Sequence, residues 1–200
     1  MNQQKKSLLE QDSTVMARAN HVSELLKSIP GANWGREGLA ETPLRVAAMY
    51  NELFSGYGED AEQILRDAIF DDVNCKDMVL VKNITFSSMC EHHMMPFFGT
   101  VSIAYIPQDG RVVGLSKLAR IVDTFGKRLQ VQERMGKEIA DAIENVMNPK
   151  GLAVIIKAEH TCMTARGINK PGSQTVTSCL RGAFFLDGKS REELYNALKL

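Results

Sequence analysis

Within four residues, Cys90-Glu91-His92-His93 gathers a thiol, a carboxylate and two imidazoles, and His160-Thr161-Cys162 supplies an imidazole and a thiol again far downstream. If the two stretches form one site, the fold has to bring distant parts of the chain to the same place. Cys90 and His93 are spaced so that thiolate and imidazole converge on one ion, and that donor pair favours zinc among common metals. With Cys162 added, three protein ligands leave a fourth position open, the arrangement of catalytic zinc. A fourth ligand from His92 or His160 would make the site structural instead. Neighbours in an extended segment point to opposite sides, so His92 and His93 serve one ion only where the chain turns between them. His92 is otherwise free for proton transfer or stacking.

At 200 residues the chain is long enough for one sizeable domain with a core and a small helical appendage. Lys plus Arg total 24 and so do Asp plus Glu, which gives no bulk electrostatic case for nucleic acid or an anionic membrane. Any anion is bound locally. No apolar run follows the polar start as a secretory signal would require, and none is long enough to span a bilayer, so a cytoplasmic protein is expected. In that reducing compartment the cysteines are read as thiolates rather than disulfides, with Cys75 and Cys179 as free thiols.

The front of the chain reads as helical. Val15, Met16, Ala19, Val22, Leu25, Leu26 and Ile29 follow the spacing of an amphipathic helix over 13–29 that Pro30-Gly31 ends. Residues 32–39 read as a loop, Thr42-Pro43 opens a helix through Phe54, and a short helix covers 59–69. The character changes after Asp77, which sets the expected division into a helical region 1–76 and a catalytic domain 77–200. Residues 78–86 read as a strand ending at Ser87-Ser88, and residues 100–106 alternate, with Val101, Ile103 and Tyr105 on one face. Pro107-Gln108-Asp109-Gly110 turns that strand into Arg111–Val113 as an antiparallel hairpin. Helices follow from Gly114-Leu115-Ser116 and over 131–147, then strands over 152–159 and 173–185. Ser190 with Glu193 is a capping box for a last helix. The plan is α+β, with hairpins flanking a helix pair.

Three further stretches carry chemistry. Gly114-Leu115-Ser116-Lys117-Leu118-Ala119-Arg120 sets a helix N-terminus, a hydroxyl and two cations together, with Lys117 and Arg120 on one face, which suits a phosphate or is simply a solvated basic face. Arg166 follows the second cluster, and Arg45 in the front helices is another candidate for phosphate. In Gln130-Val131-Gln132-Glu133-Arg134, the Glu133 carboxylate can accept two hydrogen bonds from an amidine edge such as that of guanine, and Gln132 can bond a hydroxyl or a base edge. A first-turn glutamate serving only the helix dipole is the plainer reading.

Together, Cys-Glu-His-His, Gly-Leu-Ser-Lys-Leu-Ala-Arg, Gln-Val-Gln-Glu-Arg and His-Thr-Cys-Met-Thr-Ala-Arg-Gly resemble the signature segments of the GTP cyclohydrolase I family, zinc enzymes that open folate biosynthesis in bacteria. The resemblance runs from about Thr42 to the C-terminus. It implies a tunnelling fold (T-fold), assembled as a decamer of two pentamers with active sites at subunit interfaces. The implied reaction converts GTP and water to 7,8-dihydroneopterin triphosphate and formate, by zinc-hydroxide attack on purine C8, ring opening, ribose rearrangement and reclosure. By the same resemblance Cys90, His93 and Cys162 hold zinc, and His92 and His160 carry protons. Ser116 assists the rearrangement, and Glu133 anchors guanine. Gln132 contacts ribose or base, while Lys117, Arg120 and Arg166 neutralise the triphosphate.

Two positions depart from the pattern. Leu129 stands where many members have proline, a matter of the local turn, and Ala48 stands where some have a phosphate-binding lysine, which turns attention to Arg45. Two other readings compete: another tunnelling-fold purine or pterin enzyme, such as a dihydroneopterin aldolase or a nitrile reductase, and a non-catalytic, zinc-stabilised nucleotide-binding regulatory module. The first has no need of the Cys, His, Cys set, and turnover excludes the second.

Overall fold

The computed structural model describes Lys6 and residues 9–199. The chain divides into two compact units, the first ending at Phe54 and the second beginning at Ser55. The sequence boundary after residue 76 marks a different change, from helix-rich to strand-rich chain.

In the first unit, α1 (Ser13–Ser28) is capped by Asp12, whose carboxylate accepts from the backbone N–H of Thr14 at 2.8 Å and of Val15 at 3.1 Å. A single turn, α2 (Glu37–Ala40), occupies part of the stretch expected to be loop. In α3 (Thr42–Leu53), Pro43 sits in the first turn as expected, but Thr42 lies inside the helix and Glu41 holds the cap position. Val15 and Ala19 of α1 pack against Leu44 and Ala47 of α3, and the apolar spacing of the first two is part of what made α1 legible as a helix.

The second unit begins with a 3-10 turn (Ser55–Gly58) and a short helix, α4 (Ala61–Arg66), which Asp60 caps through the N–H of Gln63 at 3.0 Å. Then β1 (Ile69–Phe70) precedes two long strands, β2 (Val79–Cys90) and β3 (Met95–Ile106), joined by a tight turn. After β4 (Val112–Val113) come α5 (Leu115–Gly126), β5 (Leu129–Gln130) and α6 (Gln132–Met147). The chain ends with β6 (Gly151–His160), α7 (Thr161–Thr164), β7 (Thr175–Gly182), α8 (Ala183–Leu186) and α9 (Gly188–Lys199).

Five strands form one sheet in the order β5-β2-β3-β6-β7, antiparallel apart from the β2–β5 pair. Hairpins β2–β3 and β6–β7 flank the helix pair α5 and α6, which is the α+β plan the sequence predicts. Val101, Ile103 and Tyr105 do share a face, packed with Leu152, Val154 and Ile156 against Leu118, Ile121, Ile139 and Ile143 of the helices. Each fully buried aliphatic side chain of this kind contributes ~1.5–3 kcal/mol. The opposite face also buries apolar groups, Ala104, Ala153 and Ile155 lying beneath Phe184 and Leu194. That two-sided burial explains why β6 reads as a continuous apolar run rather than an alternating one.

Three local expectations are corrected. Residues 107–110 do turn, with Asp109 and Gly110 at positive φ, but Val112–Val113 pairs with Ile69–Phe70 and not with β3. The N–H of Val113 instead donates to the buried Tyr105 hydroxyl at 3.2 Å. Strand β2 runs through Ser87 and Ser88 as far as Cys90, so Cys90 is a strand residue rather than one just past it. The cap of α9 is Asp187, which accepts from the N–H and hydroxyl of Ser190 at 2.8 and 2.7 Å, leaving Ser190 within the helix.

Candidate active site

The sheet register creates the site. Cys90 ends β2 opposite Met95, and in the same neighbourhood Phe97 of β3 pairs with His160, which ends β6. Both clusters therefore emerge at one end of the sheet. Between Cys90 and Met95 the chain turns sharply, with Met94 at φ 51° and its N–H bonded to the Cys90 carbonyl at 2.8 Å. Helix α7 carries Cys162 back toward this turn and is pinned by the Thr161 hydroxyl, which donates to the Pro96 carbonyl at 2.6 Å.

The result is a set of donor atoms from Cys90, His93 and Cys162 that all lie within 4.8 Å of one another. A tetrahedral ion with bonds of about 2.0–2.3 Å wants its ligand atoms roughly 3.5 Å apart, so two thiols and an imidazole within 4.8 Å of one another could close on a metal ion. Burial pushes the Cys162 thiol up, and the adjacent Cys90 adds to that, with Arg166 opposing. A divalent cation reverses this preference, because a coordinating thiol gives up its proton. His92 lies beside the cluster, its Nδ1 3.8 Å from the Cys90 sulfur, and Arg166 donates to Nε2 of His93 at 2.7 Å.

A cavity of about 260 Å³ opens next to these groups, lined by Cys90, His92, Gln132, Glu133, His160 and Cys162 among others. His160 stacks on Phe97, the ring centroids 4.5 Å apart and the planes 5° from parallel. Burial pushes its imidazole below the ordinary range, partly opposed by the charge of Glu133. In the neutral imidazole one ring nitrogen donates and the other accepts. Glu133 is exposed in the first turn of α6, at the cavity edge. Gln132 is buried, with its side chain hydrogen-bonded to His160.

Several neighbours of the site escape sequence reasoning. Arg134 pairs with the Glu91 carboxylate, and its hydrogen bond and positive charge hold Glu91 below the usual carboxylate range. Arg134 also donates to the Leu129 carbonyl at 3.2 Å and to Gln130 at 3.3 Å. The amide of buried Gln130 donates in turn to the Phe125 carbonyl at 3.1 Å and to Glu138 at 2.7 Å. The i, i+4 spacing of Gln130 and Arg134 was the available signal; the partner in the Cys90–Met94 turn was not visible locally.

Other candidates stand elsewhere. Ser116, Lys117 and Arg120 occupy the first two turns of α5 and do not line this cavity. Arg120 lines a different one, about 580 Å³, with Glu59, Asp60, Asp123 and Lys127. Arg45 belongs to the first unit, where its guanidinium bonds Glu41 at 2.8 Å. The four cysteines are all free, and among the described residues no helix is long and apolar enough to cross a membrane.

Fold and site together define an α+β protein with a three-donor candidate metal centre beside a small-molecule cavity. The sequence profile of the family described as GTP cyclohydrolase I matches residues 18–199. A protein named GTP cyclohydrolase 1 from Caldanaerobacter subterraneus is 53% identical over 86% of this chain and 90% of its own length. Namesakes from Thermoanaerobacter pseudethanolicus and Listeria welshimeri are 52% and 51% identical, over 88% and 90% of this chain and 93% and 94% of theirs. Among solved structures, an archaeosine synthase QueF-Like in the apo form superposes with a TM-score of 0.42 and 20% identity, covering 52% of this chain and 93% of that one. This chain belongs to the GTP cyclohydrolase I family, whose members are hydrolases with the tunnelling fold.

Proposed function

We propose that the chain converts GTP and water to 7,8-dihydroneopterin triphosphate and formate at the Cys90, His93, Cys162 cluster. The observation that carries this reading is the convergence of those three donors beside a cavity that also presents His92, His160 and Glu133. Bound zinc would supply the Lewis acidity that activates water for attack at purine C8. Glu133, exposed at the edge of the cavity, would accept from N1 and the exocyclic amine of guanine. His92 and His160 then serve as proton carriers as the imidazole ring opens, since neutral imidazole both takes and gives protons near pH 7. Arg166, beside His93, supplies positive charge for the phosphates.

The cavity is smaller than the roughly 300–1,000 Å³ of pockets that enclose a whole drug-sized ligand, so it suits base and sugar better than an entire nucleoside triphosphate. Ser116, Lys117 and Arg120 lie outside it, and a second copy of the chain would bring them to the triphosphate and ribose. A decamer with sites between subunits, as the family resemblance implies, meets that need, and the catalytic groups taken from one chain all fall within 77–200. Arg45 is a further phosphate ligand on this reading, in competition with Glu41. On this reading the protein works in the cytoplasm, on the pathway to tetrahydrofolate.

Purified protein supplied with GTP tests this. Formate release, with a fluorescent pterin after oxidation, is expected from zinc-loaded protein, and a chelator should abolish both until zinc is restored. Zinc-loaded protein that yields neither product would remove the enzyme reading.

A further inference from the structure

Gln132 is 1% exposed, and its whole side-chain amide is engaged. Its Nε2 lies 3.2 Å from the carbonyl oxygens of Ile156 and Thr175 and 3.1 Å from the Thr177 hydroxyl. Carbonyl oxygens only accept, so the NH2 group has to face them; the reversed amide would press its own oxygen against two others. Oε1 is thereby turned toward His160, whose Nε2 is 2.8 Å away. An amide oxygen also only accepts, so His160 donates from Nε2. Rotating the ring by half a turn would set a carbon against Oε1 and lose the bond, while the Phe97 stack holds the ring plane.

We propose that Gln132 is a positioning residue that fixes the neutral tautomer of His160 with its proton on Nε2, so that Nδ1 is the nitrogen that takes a proton from the substrate. The chain of constraint starts in the backbone of β6 and β7, whose carbonyls at Ile156 and Thr175 orient the amide, and ends at one atom of the site. Sequence alone sends Gln132 to the ribose or base. With its donors and its acceptor all engaged by the protein, its influence on the substrate runs through His160. The inference rests on the reading of His160 as a proton carrier, and the two fail separately in the measurements below.

Zinc-loaded protein carrying ring-15N histidine, studied by solid-state NMR at about pH 8, reads the tautomer directly, with His160 assigned by its loss in His160→Ala. A protonated-type shift at Nε2 and an unprotonated-type shift at Nδ1 are expected; the reverse pattern overturns the proposal. Gln132→Met should keep zinc and hold KM for GTP within about threefold while kcat falls about a hundredfold, the loss expected when one acid–base group is misdirected. A raised KM with kcat intact would make Gln132 a substrate contact and overturn the positioning role. Gln132→Met strands two buried carbonyls, and if it fails to fold, the wild-type shifts still decide. Thr177→Val, which removes one acceptor and leaves the two carbonyls, should preserve both tautomer and kcat, and loss of either counts against the proposal. Wild-type protein with the expected shifts but no turnover of GTP would uphold the tautomer and sink the catalytic reading.

Discussion

Arg134 and Glu91 join two stretches that are far apart in sequence: the carboxylate that follows Cys90 is held by the guanidinium that follows Glu133. Because Arg134 also bonds the Leu129 carbonyl and Gln130, the turn after Cys90 and the segment leading to Gln132 and Glu133 share one anchor. The pair is partly exposed, so its effect on stability is small. Its effect on the site is larger. Arg134→Met should lower zinc affinity about tenfold, the usual scale for groups that orient metal ligands, as measured by chelator competition, with a melting temperature near that of the wild type. Unchanged zinc affinity would leave the pair a surface contact.

Removing one ligand differs from removing one proton carrier. Cys162→Ala should lose both zinc and turnover, whereas His160→Ala should keep zinc and lose turnover, as read by metal analysis and formate release on the same samples. Loss of zinc from His160→Ala would make His160 a ligand.

Recognition of guanine is expected to rest on the charge of Glu133. Glu133→Gln replaces an acceptor of two hydrogen bonds with a group that must present a donor, which should lower kcat/KM for GTP about a hundredfold. Steady-state kinetics with GTP decide it, and unchanged constants would remove Glu133 from the base-binding role.

Gly99 tests the register that brings Cys90 and His160 to the same end of the sheet. A Cβ there would lie 2.0 Å from the Lys157 carbonyl oxygen, with no flexible side chain to give way. Gly99→Ala should therefore destabilise the fold by more than about 2 kcal/mol, by forcing β3 from β6. Denaturant unfolding of the variant reads this directly; wild-type stability would mean that the strands adjust freely.

Acid should weaken the cap of α9. Hydrogen bonds from the Ser190 hydroxyl and backbone hold the Asp187 carboxyl below its usual range. A depressed folded pKa gives stability that is present above the unfolded value, about 3.9, and is lost as pH falls through the folded value. Asp187→Asn lacks that titration, so the melting temperature advantage of the wild type should shrink as pH drops from 7 through this range.

The parts of the fold carried by local pattern were legible in the sequence. The apolar stripes of α5 and α6, the alternation of Val101, Ile103 and Tyr105, and the Cys90, His93 pair all reflect spacing within short segments, whereas Cys162 joins that pair only through the resemblance of the downstream motif. What local pattern cannot carry is pairing between distant ones. The turn at 107–110 is present, but the partner of Val112–Val113 is Ile69–Phe70, well upstream. Ser87 and Ser88 look like a strand end, yet β3 and the Arg128 carbonyl receive them inside β2. Leu129, placed in a local turn by sequence, uses its N–H to bond the Tyr57 hydroxyl at 3.2 Å, a bond that proline could not make. The contact between Gln132 and His160 depends on the β3–β6–β7 register and on where α6 begins, neither of which is written in either motif.

Two thiolates and one imidazole are expected to hold the metal and leave a position open. X-ray absorption at the zinc edge of the loaded wild-type protein measures this most directly. It should count two sulfur ligands at about 2.3 Å and two lighter ligands at about 2.0–2.1 Å, with the multiple-scattering signature of a single imidazole. A second imidazole in that shell would contradict the account, because His92 or His160 would then be closing the site rather than carrying protons in it.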